Sequence, residues 1–279
     1  MTVDYLCNCF LPDRLPLWER SVADQGIPLK VADSFVPAAD MVARMDDLGV
    51  GTVVLPTVAH SRPVVDEVEF EDVATTLDEL RALADAHPGR FVGTWVVDPT
   101  TGSDGVRAAE DALSDPVMVG LYLHTHSFDR PFDHADYYPY YDLCGRLGVP
   151  MVVQAGSSGG RMPSECGKPI GIDRPAIYFR DTDFVLSHTG WPWVEEAVAM
   201  ALKFSNVYLG TGSWPPAYWS PTLVDFIRRA GRRKVLFGTN FPTVDHRRAL
   251  EQLDRLDLGD EARDGLLDGN ARRVFRRLA

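Results

Sequence analysis

Short β-branched runs alternate with longer helix-period segments along nearly all of the 279 residues, which restricts the chain to folds built from repeated βα units on a parallel sheet. Strands are expected at Thr2–Cys9, Gly51–Pro56, Phe91–Val97, Met118–His124, Pro150–Ala155, Phe184–His188, Val207–Thr211 and Lys234–Thr239. Helical spacing covers Ala38–Leu48, Asp72–Ala86, Tyr138–Leu147, Val194–Phe204, Pro221–Ala230 and Arg247–Leu256, and a final helix is expected over Asp260–Leu278. Doubly wound open sheets alternate in the same way. Eight strands without a glycine-rich phosphate loop after the first favour a single (β/α)8 TIM-type barrel domain over residues 1–279, a length close to the roughly 250 residues usual for that fold. The longest irregular stretches, Phe10–Pro37 and Ser157–Pro169, follow strands one and five, where barrel active-site loops belong.

Charge narrows the partners. Lys and Arg total 28 against 40 Asp and Glu, and a net charge of -12 repels phosphate backbones and anionic membranes, so no nucleic acid partner is expected. No run of about 18 apolar residues occurs and the N-terminal segment does not read as an export signal, so no membrane partner and a cytoplasmic location are expected. The four cysteines, Cys7, Cys9, Cys144 and Cys166, are too scattered for a disulfide framework and are expected to be free thiols. A homodimer is the default expectation for a barrel of this size.

Several segments in order carry a family resemblance: Val3-Asp4 in strand one, the YYPYY run Tyr137–Tyr141 before Gly148-Val149-Pro150, Leu186–Gly190, Asn206–Leu209, Leu236–Pro242 and Gly269-Asn270-Ala271. Together they resemble the amidohydrolase 2 branch of the amidohydrolase superfamily, which contains aminocarboxymuconate semialdehyde decarboxylase. That family places metal ligands in a His-x-His pair on strand one, a His ending strand five, a His ending strand six and an Asp on strand eight. The matching positions here are Leu6, Asn8, Gln154, His188 and Asn240. Only the histidine survives. Leu has no donor and neutral amides are poor ligands for a divalent transition ion, so the resemblance implies a degenerate metal site and no cofactor is expected. Asn8, Gln154 and Asn240 retain hydrogen-bonding capacity, which suits a polar pocket floor.

His188 ends a strand, where barrels place catalytic groups, and an imidazole titrating near neutral pH would suit a general acid or base; the alternative is a histidine packed under a loop. His124 and His126 end strand four. They are expected either to bind substrate or loop backbone, or to join His188 in a displaced three-histidine metal site. Strand alternation turns Leu6 and Asn8 inward and Cys7 and Cys9 toward the helices, where inert thiols are expected; Cys9 is a nucleophile only if a base or cation lowers its pKa. Trp191, Trp193, Trp214 and Trp219 follow strands six and seven and offer flat walls for a planar ligand, with ordinary loop packing as the alternative. Arg62, Arg130 and Arg161 lie in loops after strands two, four and five and could grip a substrate carboxylate, although each alone is commonly a solvated charge. Gly156–Gly160 reads as a lid hinge, not as a phosphate loop.

These features lead to a metal-independent hydrolase of a small carboxylated or aromatic lactone, ester or amide. His188, Asn240, Gln154 and Asn8 would be catalytic, and His124, His126, Arg62, Arg161, Trp191 and Trp214 would bind substrate. A lyase, isomerase or cyclase on the same scaffold and a non-catalytic ligand-binding paralogue are the competing readings.

Overall fold

The computed structural model describes residues 1–23, 31–59, 73–159 and 162–278. Eight parallel strands run in consecutive order around a barrel: β1 (Thr2–Asp4), β2 (Val50–Val58), β3 (Phe91–Val96), β4 (Met118–Leu123), β5 (Met151–Val153), β6 (Phe184–Leu186), β7 (Val207–Gly210) and β8 (Val235–Leu236). The expected barrel is therefore present. A further two-residue strand, Thr75–Thr76, pairs with the end of β2.

The ring closes between β1 and β8 through single backbone bonds beyond the regular ladders. Tyr5 N donates to Phe237 O over 3.0 Å, Asn240 N to Leu6 O over 2.8 Å and Asn8 N to Phe241 O over 2.8 Å. The first strand is shorter than the expected Thr2–Cys9 because the Asp4 carboxylate takes the Leu6 N–H at 3.0 Å, which bends the chain after Asp4. That carboxylate is fully buried and also accepts from Thr239 N, Thr239 Oγ1 and His246 Nε2, the last over 2.8 Å. A buried carboxylate without such partners would cost several kcal/mol, so the cluster acts as a clasp across the seam.

Inside the barrel, Val3, Tyr5, Leu6, Val54, Val96, Val119, Tyr122, Val152, Val185 and Leu236 form one cluster, joined at its base by Ala271, Val274 and Phe275 of the C-terminal segment. The outer layer, between strands and helices, is a second and larger cluster that includes Cys7, Leu55, Leu121, Leu123 and Val153. The period of two sets Val54 against Leu55 and Val152 against Val153, and it slips in β1 and β4, where Tyr5 joins Leu6 inside and Val119 lies inside while Leu121 lies outside, beside irregularities of register.

Helices Ala38–Leu48 and Tyr138–Leu147 have the expected bounds. The helix expected from Asp72 starts instead at Leu77: Thr76 accepts from Glu79 N while the Glu79 carboxylate returns to Thr76 N, a capping box that sets the start. Asp72 lies outside the described residues. The expected continuous helix Asp260–Leu278 is broken into Asp260–Asp264, a π-helical turn Gly265–Gly269 and Asn270–Val274, where the Asn270 side chain donates to Arg232 O and Val235 O beneath β8. The stretch Phe10–Pro37 contains a helix, Leu15–Val22. Its buried neighbour Arg14 holds the Glu79 carboxylate with both oxygens, at 2.7 and 2.8 Å.

Candidate active site at the barrel mouth

The carboxyl ends of the strands gather Asn8, Gln154, His188 and Asn240 at one end of the barrel, where three are buried and Asn240 is half-buried. His188 and Thr189 after β6, Ser213 after β7 and Asn240 after β8 all have left-handed backbones, with φ of 59, 55, 65 and 53°. Each such non-glycine residue costs of order 1 kcal/mol or more and persists only where its surroundings hold it. Four of the six described non-glycine residues with positive φ lie at this mouth, which marks it as the strained end of the molecule.

Asn8 and Asn240 are bound to each other. Asn8 Nδ2 donates to Asn240 Oδ1 at 2.8 Å and to Phe241 O at 3.1 Å, and Asn240 Nδ2 donates to Ser213 Oγ at 2.6 Å and toward Thr243 Oγ1 at 3.4 Å. Their amide protons are engaged within the protein, so the expectation that they donate to a reacting group is replaced by a role in tying the ends of β1, β7 and β8. Gln154 differs. Its Oε1 accepts from Tyr122 Oη at 2.9 Å, while its Nε2 donates to no described residue.

His188 Nδ1 lies 2.7 Å from Ser187 Oγ, which leaves Nε2 without a partner among the described residues. A hydroxyl both donates and accepts, so either tautomer of the ring is compatible with this contact. Burial, reinforced by the nearby His126, pushes the His188 pKa down to about 3. The expectation of an imidazole titrating near neutrality is corrected: the ring is neutral across the physiological range because the interior does not solvate its charged form.

His124 is pushed well down by burial and by His126 and His188, and His126 is lowered by burial despite its contact with a carbonyl. His124 Nδ1 meets Ser127 Oγ at 2.6 Å, and His126 Nε2 lies 3.0 Å from Gly156 O. A carbonyl only accepts, so His126 Nε2 carries the proton and its lone pair is on Nδ1. The three histidines are thus neighbours. Among the described residues, however, no group of three or more His, Cys, Asp or Glu side chains is placed to hold a metal ion. The five positions that the family resemblance assigns to ligands also fail to fit one, since they offer one imidazole, three amides already hydrogen-bonded and the Leu6 side chain.

Trp191 and Trp214 come together with ring centroids 4.4 Å apart and planes inclined by 40°, and Trp191 is 43% exposed. Trp219 Nε1 donates to Trp214 O at 2.8 Å, which fixes the loop after β7. Arg130 is paired with Asp136 at 2.7 Å, so it serves its own loop. Arg62 and Arg161 lie outside the described residues. Within the Gly156–Gly160 segment, Gly156 has a φ of +88° and a Cβ there would meet Trp191 O at 2.4 Å, so close packing and backbone conformation require glycine, while Gly160 lies outside the described residues. Cys7 and Cys9 are buried free thiols, and burial pushes Cys9 up to about 11, against a nucleophilic role.

Sequence reasoning missed Tyr5. Its ring lies in the barrel interior, and a Cβ on Gly210 would fall 2.0 Å from its Oη and one on Gly238 2.3 Å from its Cε1. Two glycines within expected strands were the available signal, since glycine there often marks a close approach. Ser187, Ser213 and Thr243 were also missed; their types carry no distinctive pattern. Two surface depressions lie at the opposite, amino-terminal end of the strands, one near Thr2 and Arg247 and one near Leu113 and Arg277, and neither reaches His188.

No curated protein matches the chain. Among solved structures, it is similar to an uncharacterized TIM-barrel protein from Bordetella bronchiseptica, with 21% identity, 99% of each chain covered and a TM-score of 0.77. It is similar to 2,6-dihydroxybenzoate decarboxylase from Rhizobium, with 15% identity, 99% of this chain and 98% of that one covered and a TM-score of 0.70. It is also similar to 4-oxalomesaconate hydratase from Rhodopseudomonas palustris, with 18% identity, 100% and 96% covered and a TM-score of 0.66. At these identities the likeness establishes the barrel fold. The family model described as amidohydrolase, of the amidohydrolase 2 type, matches residues 37–277, and with the family-ordered segments from strand one to the C-terminal Gly-Asn-Ala this shows that the chain belongs to the amidohydrolase family.

Proposed function

We propose that this chain is a metal-independent hydrolase of a small aromatic or carboxylated ester or lactone, bound at the barrel mouth. The observation that carries this reading is the pair of polar atoms at adjacent strand ends, Gln154 Nε2 and His188 Nε2, that have no partner among the described residues, beside strained backbone. Two other positions that the resemblance assigns to metal ligands, Asn8 and Asn240, are joined by their mutual hydrogen bond.

A neutral His188 whose conjugate acid has a pKa of about 3 is a weak base, so it suits activated esters and lactones better than amides. With Nδ1 facing Ser187, its Nε2 either accepts from an attacking water or donates to a developing oxyanion. Gln154 Nε2 supplies a second donor, an effect worth up to about 3 kcal/mol in a water-excluded site. The Trp191–Trp214 pair offers an apolar wall to a planar acyl or leaving group. His124 and His126, with Arg62 and Arg161, which follow β2 and β5 in the sequence, complete the proposed substrate-binding set.

A lyase is the second reading, because solved neighbours include a decarboxylase and a hydratase. The test is incubation of metal-depleted protein with a panel of aromatic and carboxylated lactones, esters and acids in ¹⁸O-labelled water. Incorporation of label into a carboxylic acid product supports hydrolysis. Release of carbon dioxide, or hydration of a double bond, selects the lyase, and tight binding without turnover identifies a ligand-binding protein.

A further inference from the structure

We propose that Tyr5 is a positioning residue of this site: its hydroxyl accepts the backbone N–H groups of His188 and Gly212 and so holds the left-handed turn that presents His188 Nε2 at the mouth. This rests on the preceding reading only for the ligand-facing role of His188.

Three orphaned polar groups meet at this point. Tyr5 Oη is buried without a hydrogen bond of good geometry. The backbone N–H groups that bear on it are those of Gly212, where a Cβ would lie 3.5 Å from Oη, and of His188, and neither donates to another acceptor among the described residues. Buried polar groups are nearly always paired, so a hydroxyl and two N–H groups brought together without other hydrogen-bond partners among the described residues are expected to pair. The neighbouring acceptors are committed: Ser187 Oγ is on the His188 ring, and Gln154 Oε1 takes the Tyr122 hydroxyl.

The fold makes room for the phenol specifically. Gly210 and Gly238 lack the side chains that would collide with the ring, and a Cβ at Gly212 would lie 3.5 Å from Oη. The left-handed backbones of His188 and Thr189 need a restraint to persist, and a hydroxyl fixed across the barrel from β1 supplies one at the first residue of the turn. Tyr122, the other interior phenol, points to Gln154 and serves as an internal control.

The test uses the full chain labelled with ¹⁵N. In the parent protein the amides of His188 and Gly212 are expected to exchange slowly with solvent. In Tyr5→Phe, which keeps the ring, their exchange should quicken about tenfold or more and the ring nitrogen signals of His188 should move. Tyr122→Phe should leave those two amides unchanged and move Gln154 instead. Unaltered His188 and Gly212 amides in Tyr5→Phe would overturn the proposal. So would fast exchange of both in the parent, a measurement that decides the matter even if Tyr5→Phe does not fold. Absence of any turnover would defeat the proposed hydrolase without touching these amide signals, so the two readings fail separately.

Discussion

Asn8, beyond the first strand, and Asn240, beyond the last, share a hydrogen bond of 2.8 Å, which joins the two ends of the barrel at its mouth. Removing either partner should cost about 1 kcal/mol, and the double substitution Asn8→Ala with Asn240→Ala should cost less than the sum by a similar amount. Urea unfolding of the four proteins measures this. Strict additivity would mean that the bond contributes no coupling.

Metal content follows from the same pair. Elemental analysis of protein purified without a histidine tag should find far less than one transition metal per chain, and chelators should leave any activity unchanged. Asn240→Asp alone should not create a site, because Asn8 and Gln154 remain neutral amides and Leu6 has no donor atom, while catalytic zinc needs about three good protein ligands. Uptake of one zinc per chain by that variant would refute the assignment of these positions.

His188→Asn should lower turnover about 10²-fold or more while leaving the far-ultraviolet circular dichroism unchanged. Because the neutral ring persists down to about pH 3, the rate should show no limb from His188 between pH 5 and 8. A limb near pH 6.5 that disappears in His188→Asn would place the functional pKa in solvent-like surroundings and contradict the buried geometry.

Acid stability has a defined direction. His188, His124 and His126 have folded pKa values below the ordinary 6.5, so between about 3 and 6.5 the unfolded chain binds more protons than the folded one. Their contribution is therefore fully present above about pH 6.5 and is lost as pH falls toward the folded values. Thermal unfolding should show the midpoint falling over this window, less steeply in His188→Asn. An identical slope in the variant would assign the acid sensitivity to other groups.

The seam clasp gives a separate test. Asp4→Ala strands His246 and the Thr239 donors in the interior and should destabilise by about 2–4 kcal/mol, because several buried donors lose their acceptor at once. Chemical denaturation measures it; a loss below about 1 kcal/mol would show that the clasp contributes little beyond a surface pair.

The barrel was legible because its signal is local and repeated. Each strand advertises itself by β-branched runs and each helix by spacings of three and four, and the inward or outward direction of Leu6, Cys7 and Tyr122 follows from a period of two. Strand ends were less legible. β1 stops early because the Asp4 carboxylate takes the Leu6 N–H, and β8 because, past Leu236, the Phe237 N–H goes to Leu266 O and the Gly238 N–H to Thr211 Oγ1.

Position in the site was similarly readable, since Asn8, Gln154, His188 and Asn240 stand at strand ends whatever their partners. Which of them still has an uncommitted atom was not. The alternation of residue types by itself determined the fold and the end of the barrel where chemistry belongs, through interactions between residues a few positions apart. Only the tertiary structure decided that Asn8 and Asn240 satisfy each other, that Tyr5 packs against Gly210 and Gly238, and that burial favours the neutral form of His188. Hydrogen-bond satisfaction and desolvation depend on groups as much as 242 positions apart, and spacing along the chain carries no record of them.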